Sequence, residues 1–106
     1  MTGYVYILRC SDDRLYTGST NDLDRRLKEH EAGEGANFTK TRLPVELVYV
    51  EVFHRIDQAF QREKQIQRWT RAKKEALILE YKTELHHLAA CRNATNSSNF
   101  KFTVKE

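Results

Sequence analysis

Tyrosine, arginine, histidine and glutamate recur along this chain at spacings that could serve one site. Tyr4-Val5-Tyr6 and Tyr16-Thr17-Gly18 place Tyr6 and Tyr16 ten positions apart. Arg26 and His30 follow, four apart, and Glu63 stands in a later segment among apolar residues. Together these groups could cut a phosphodiester. A guanidinium binds phosphate bidentately and stays charged. An imidazole titrates near neutrality and can move a proton. A carboxylate offers hard oxygens to Mg²⁺, which keeps much of its water shell. A phenol has a pKa near 10 and needs help to act as a base.

Each of these residues also has a purely structural reading. Arg26 could cover the core with its stem. Its neighbour Arg25 is the internal control, because the helical repeat turns it toward solvent. His30 could simply favour the end of a helix through the macrodipole. Glu63 lies three residues after Phe60 and three before Ile66. A carboxylate on such a stripe is costly unless it is paired or binds a metal. Two readings of it are therefore open, a buried salt bridge, with Arg26 as one candidate partner, or a metal ligand. The tyrosines could be ordinary strand aromatics. Tyr4 and Tyr6 share a sheet face by alternation. Gly18 has no side chain and would let a phosphate backbone come close.

The elements that must hold these residues can be read from pattern. Tyr4 to Arg9 and Leu15 to Ser19 form a hairpin around the turn Ser11-Asp12-Asp13-Arg14. Asn21 or Asp22 caps a helix from Leu23 to Ala32, with Leu23 and Leu27 toward the sheet and Gly33 and Gly35 ending it. Glu34 to Leu43 reads as a polar loop. Val45 to Phe53 reads as a buried, central strand. Asp57 is a cap for a second helix ending near Trp69, on which Ala59, Phe60, Ile66 and Trp69 outline an apolar stripe. Thr70 is a cap for a third helix ending near Leu85. The order β-β-α-β-α-α describes a small α+β domain with a three-stranded antiparallel sheet flanked by helices. Residues 1–90 make this one domain. Residues 91–106, rich in Asn, Ser, Thr and Lys, read as a flexible tail.

Composition narrows the possibilities. The 106 residues suit one domain with one modest core. A net charge of +3 permits a nucleic-acid partner without demanding one. Cys10 and Cys91 stand alone, which argues for reduced thiols in a cytoplasmic protein and against a disulfide framework or a zinc site. No segment reads as a signal peptide or a membrane span.

The order and spacing of these motifs resemble the GIY-YIG nuclease family over roughly residues 3 to 80, most closely its small, stand-alone bacterial members. In three places the chain departs from the pattern. It has no clear equivalent of the asparagine some members use late in the domain. Tyr4 occupies the first glycine of the motif, with Gly3 one place earlier, and Ser19 stands where some members carry a lysine or histidine. The resemblance implies a metal-dependent endonuclease acting on DNA, on single-stranded or branched substrates, and a role in DNA repair. So small a site has little surface for base readout, and weak sequence specificity is expected. It implies that Glu63 holds one Mg²⁺ or Mn²⁺ and that Arg26 stabilises the transition state. Tyr6 and Tyr16 would activate water, with His30 among their helpers. No small-molecule cofactor and no membrane partner are implied. Lys40, Arg42, Arg62, Lys64, Arg68, Lys73 and Lys74 are candidates for contacting DNA. The alternative is a nucleic-acid-binding module without efficient catalysis.

Overall fold

The first strand, β1 (Gly3–Arg9), carries a run of four deeply buried residues. Val5, Tyr6, Ile7 and Leu8 are each almost wholly shielded from solvent. Alternation divides them between two cores. Val5 and Ile7 face one cluster, which includes Tyr49, Ala59, Ile66 and Ile78. Tyr6 and Leu8 face the other, with Leu23, Val50 and Val52. A strand apolar on both faces must lie inside a sheet that is covered on both sides.

A computed structural model of the protein describes residues 2–91 and 104–105. In it β1 pairs antiparallel with β2 (Leu15–Thr20) on one side and with β3 (Glu46–Phe53) on the other. Helix α1 (Leu23–Glu31) sends Leu23 and Leu27 into the Tyr6–Leu8 core. Helices α3 (Ile56–Gln67) and α4 (Arg71–Cys91) supply Ala59, Ile66 and Ile78 to the opposite core. The three antiparallel strands and the order β-β-α-β-α-α are those read from sequence.

Four details differ from the sequence reading. The polar loop contains a short helix, α2 (Asn37–Lys40), which the contacts of Phe38 and Thr39 hold in place. The cap position of α3 is Arg55, and Asp57 sits inside the first turn, paired with Arg55. Burial of β3 begins at Val48, and Leu47 is exposed. Helix α4 continues past Leu85 to Cys91. Other boundaries agree. Asp22 accepts a hydrogen bond from the Arg25 amide, Gly33 takes a positive φ of 79°, and Thr70 accepts one from the Lys73 amide.

Most of the expected tail, residues 92–103 and 106, lies outside the described residues. Its residues Val104–Lys105 form a two-residue strand, β4, parallel to β3 at Val52 and Phe53. The sheet order is thus β2-β1-β3-β4. Among the described residues no helix is long and apolar enough to cross a membrane.

Candidate active site

Tyr6 and Gly18 are direct partners in the β1–β2 ladder. The pairing has a steric consequence. A Cβ built on Gly18 would lie 2.5 Å from the Tyr6 Oη and 2.7 Å from its Cζ. The missing side chain thus makes room for the Tyr6 phenol to cross the strand. Gly18 itself also lines the cleft into which that phenol opens. Gly3 acts similarly at the strand's start, where a Cβ would meet the Ile56 Cα at 2.7 Å. It lets α3 approach the sheet closely.

Helix α1 presents Arg26 and His30 along one edge. Arg26 is partly exposed at the cleft and pairs with Glu29 at 3.0 Å. Arg25 is 75% exposed against 35% for Arg26, as the helical repeat requires. His30 is fully buried and is not among the cleft-lining residues. It stands behind Tyr6, with Nε2 3.0 Å from the phenol oxygen. Its other nitrogen, Nδ1, lies 2.8 Å from the Thr39 hydroxyl. Tyr16 packs beside both rings, at 6.4 Å from Tyr6 and 5.4 Å from His30 between ring centres, and stacks on Phe38.

Glu63 approaches from α3. Ala59 and Ile66, one turn to either side, are completely buried against the sheet. Glu63 shares their face but reaches the cleft rim, with 12% of its side chain exposed. One carboxylate oxygen accepts a hydrogen bond from Ser19, and the other accepts one from Gln67 Nε2 at 2.6 Å. The salt bridge to Arg26 weighed from sequence is replaced by the Arg26–Glu29 pair, and the cation nearest Glu63 is Lys64 at 4.0 Å. Phe60 also departs from its expected place in the apolar stripe. It is 52% exposed and forms a wall of the cleft, because the line Ala59–Ile66 meets the sheet and Phe60 is rotated off it.

These side chains border one open cleft of about 580 Å³, lined by Tyr6, Tyr16, Gly18, Ser19, Arg26, Glu63, Ile56, Asp57 and Phe60. Burial raises the Tyr6 phenol to about 12, although a hydrogen bond from Arg26 works the other way. Burial raises Tyr16 too, again opposed by Arg26. Burial, and then the Arg26 charge, hold His30 below its ordinary value and so keep it neutral. The donor set suits a hard cation. Glu63, the Ser19 hydroxyl and the phenols are all oxygen donors, and among the described residues no three acidic, histidine or cysteine groups cluster as a complete metal cage. One carboxylate with open space beside it fits Mg²⁺ or Mn²⁺ bound largely by water and substrate oxygens.

The seven basic candidates are spread over several surfaces. Lys64 lies over the Phe60 ring at 4.9 Å, and Arg68 borders the adjoining groove with Phe60 and Trp69. Lys73 covers Trp69 at 4.2 Å. Lys40 is exposed on α2, and Lys74 shares a small pocket with Arg14 and Arg71. Two are committed internally. Arg62 pairs with the buried Glu51 at 3.0 Å, and Arg42 pairs with Asp12 at 3.0 Å while covering Phe38. Sequence reasoning missed Thr39, Gln67 and the wall position of Phe60. Only Phe60 carried a signal, as a large apolar residue beside the Glu63 line.

The chain has relatives among known proteins. The family profile of the GIY-YIG catalytic domain matches residues 2–76. A UPF0213 protein of Natronomonas pharaonis is 52% identical over 77 residues, covering 73% of this chain and 91% of the relative. A UPF0213 protein of Bacillus pumilus is 47% identical over 81 residues, covering 76% and 83%. The solution NMR structure of a UPF0213 protein from Bacillus halodurans aligns with a TM-score of 0.50 at 44% identity, over 74% of this chain and 83% of that one. That of an E. faecalis protein aligns with a TM-score of 0.54 at 32% identity, over 78% and 88%.

Proposed function

The chain belongs to the GIY-YIG family, a nuclease superfamily, and from that premise we propose that it is a metal-dependent endonuclease hydrolysing DNA phosphodiesters. One observation carries the reading. Tyr6 from β1, Tyr16 from β2, Arg26 from α1 and Glu63 from α3 come from four elements and border a single cleft. A structural role for any one of them would not require the other three to converge there.

In this reading the scissile phosphate lies in the cleft. Arg26 faces its non-bridging oxygens and stabilises the negative charge that grows in the transition state. Glu63 holds the divalent cation, which when bound screens the phosphate and the leaving oxygen. Tyr6 takes the proton of the attacking water. Its phenol is held protonated at neutral pH, so it must release its own proton as it accepts another. The neutral His30 nitrogen at 3.0 Å is placed to receive that proton. Water attacks phosphorus in line, the leaving oxygen departs with its bonding pair and is protonated by solvent, and no covalent intermediate forms. Tyr16 packs against this pair and faces the same cleft.

The cleft is shallow and offers little surface to base edges, which supports weak sequence specificity. Lys64 and Arg68, beside Phe60, are the candidate cations nearest the cleft. Unpaired or branched DNA fits an open cleft with an exposed aromatic at its wall. The same reading places the protein in the cytoplasm and in DNA repair, with no small-molecule cofactor. The test is incubation with single-stranded, duplex and branched DNA, each with Mg²⁺, Mn²⁺ or a chelator. Cleavage that stops with the chelator supports the proposal. Salt-sensitive binding without cleavage would select the binding-module alternative.

A further inference from the structure

Behind Tyr6 and His30 lies a third buried polar group, the Thr39 hydroxyl. Thr39 is fully buried on α2 and is not among the cleft-lining residues. Its Oγ1 sits 2.8 Å from His30 Nδ1 and 3.0 Å from the Ala36 carbonyl oxygen. Gly35 packs against the imidazole near the same nitrogen, where a Cβ would collide with Nδ1. The two ring nitrogens are thus held at opposite ends, Nδ1 toward Thr39 and Nε2 toward Tyr6.

We propose that Thr39 is a positioning residue for the reaction, directing its own proton to the Ala36 carbonyl so that His30 carries its proton on Nδ1 and offers a bare Nε2 to Tyr6. A hydroxyl has one proton. Given to the carbonyl, it leaves only lone pairs for His30, so Nδ1–H must be the donor. A neutral imidazole has one N–H, so Nε2 is then an acceptor and the Tyr6 phenol donates to it. The opposite arrangement, Thr39 donating to Nδ1 and Nε2–H donating to Tyr6, leaves the phenol no acceptor behind it. During attack the water proton passes to the Tyr6 oxygen and the Tyr6 proton passes to Nε2. His30 becomes imidazolium, still donating from Nδ1 to Thr39, and loses a proton again before the next turnover. This inference rests on the proposed role of Tyr6 as the base.

Its test has a spectroscopic arm and a kinetic arm. Long-range ¹H–¹⁵N spectra of the free, histidine-labelled protein read the tautomer of His30 without substrate. The expected result is a neutral imidazole protonated at Nδ1. Thr39→Val removes the hydroxyl at constant shape and should lower kcat by about 10-fold or more while leaving KM unchanged. Thr39→Ser keeps the hydroxyl and should restore the rate. An Nε2–H tautomer in the wild-type protein overturns the proposal even if Thr39→Val fails to fold. So does a folded Thr39→Val variant with the wild-type kcat. If the wild-type protein cleaves no DNA while His30 is found protonated at Nδ1, the endonuclease reading fails and the hydrogen-bond assignment stands.

Discussion

Arg26 and Arg25 are adjacent in sequence and chemically identical, yet only Arg26 borders the cleft. The helical repeat alone predicts this difference, since Leu23 and Leu27 fix which edge of α1 meets the sheet. Arg26→Ala should therefore lower the cleavage rate by ~10² or more, as for loss of a transition-state donor. Arg25→Ala should change it little. Single-turnover rates of the two variants make the comparison, and equal losses would mean that general positive charge is what matters. His30 gives a second test at this scale. Burial and then the Arg26 charge lower its pKa in the folded protein, with Glu29 opposing. The unfolded chain binds a proton that the folded one does not between that lowered value and about 6.5. The contribution of His30 to stability is thus full above about 6.5 and is lost as pH falls from there through the folded value. Denaturant melts of wild type and His30→Gln over this range should show the steeper acid loss in the wild type. Parallel slopes would contradict a neutral, buried His30.

The elements were legible where a period organises them and obscure where tertiary contacts do. Aromatic and aliphatic content revealed β1, alternation running into an apolar stretch revealed β3, and caps revealed α1 and α4. The four-residue α2 left no periodic trace, because Phe38 stacking on Tyr16 and Thr39 bonding His30 hold it there. Thr39 was invisible for the same reason, being one hydroxyl in a polar stretch. Phe60 was misplaced because apolar character on a helix does not reveal how wide the contact with the sheet is. Gly18 was singled out for its lack of a side chain, and the β1–β2 register adds a reason in the phenol of Tyr6. Gly18→Ala should push a methyl into that phenol and cost about 1–3 kcal/mol, the usual range for overpacking. Thermal melts give the cost, and the Tyr6 ring resonances should shift with it. A variant with unchanged stability and an unmoved Tyr6 ring would show that the ladder can yield there.

At the scale of the whole molecule, the hairpin, the helix after it and a helix across the sheet bring two phenols, a guanidinium and a carboxylate to one cleft. The net charge of +3 is too mild to hold DNA by attraction alone, so placement of these groups must supply what charge does not. Glu63 is the group whose presence the core least explains. It lies between two fully buried residues and reaches the rim of the cleft with only neutral partners and a distant lysine. The most direct measurement compares wild type with Glu63→Gln in single-turnover DNA cleavage at saturating Mg²⁺ or Mn²⁺, with circular dichroism confirming the fold. Chelator-sensitive cleavage by the wild type and a loss of ~10² or more in the folded variant is the predicted result, as expected when the charge that holds a catalytic cation is removed. A folded Glu63→Gln variant that cleaves at the wild-type rate would contradict the assignment of this cleft as a metal-dependent active site.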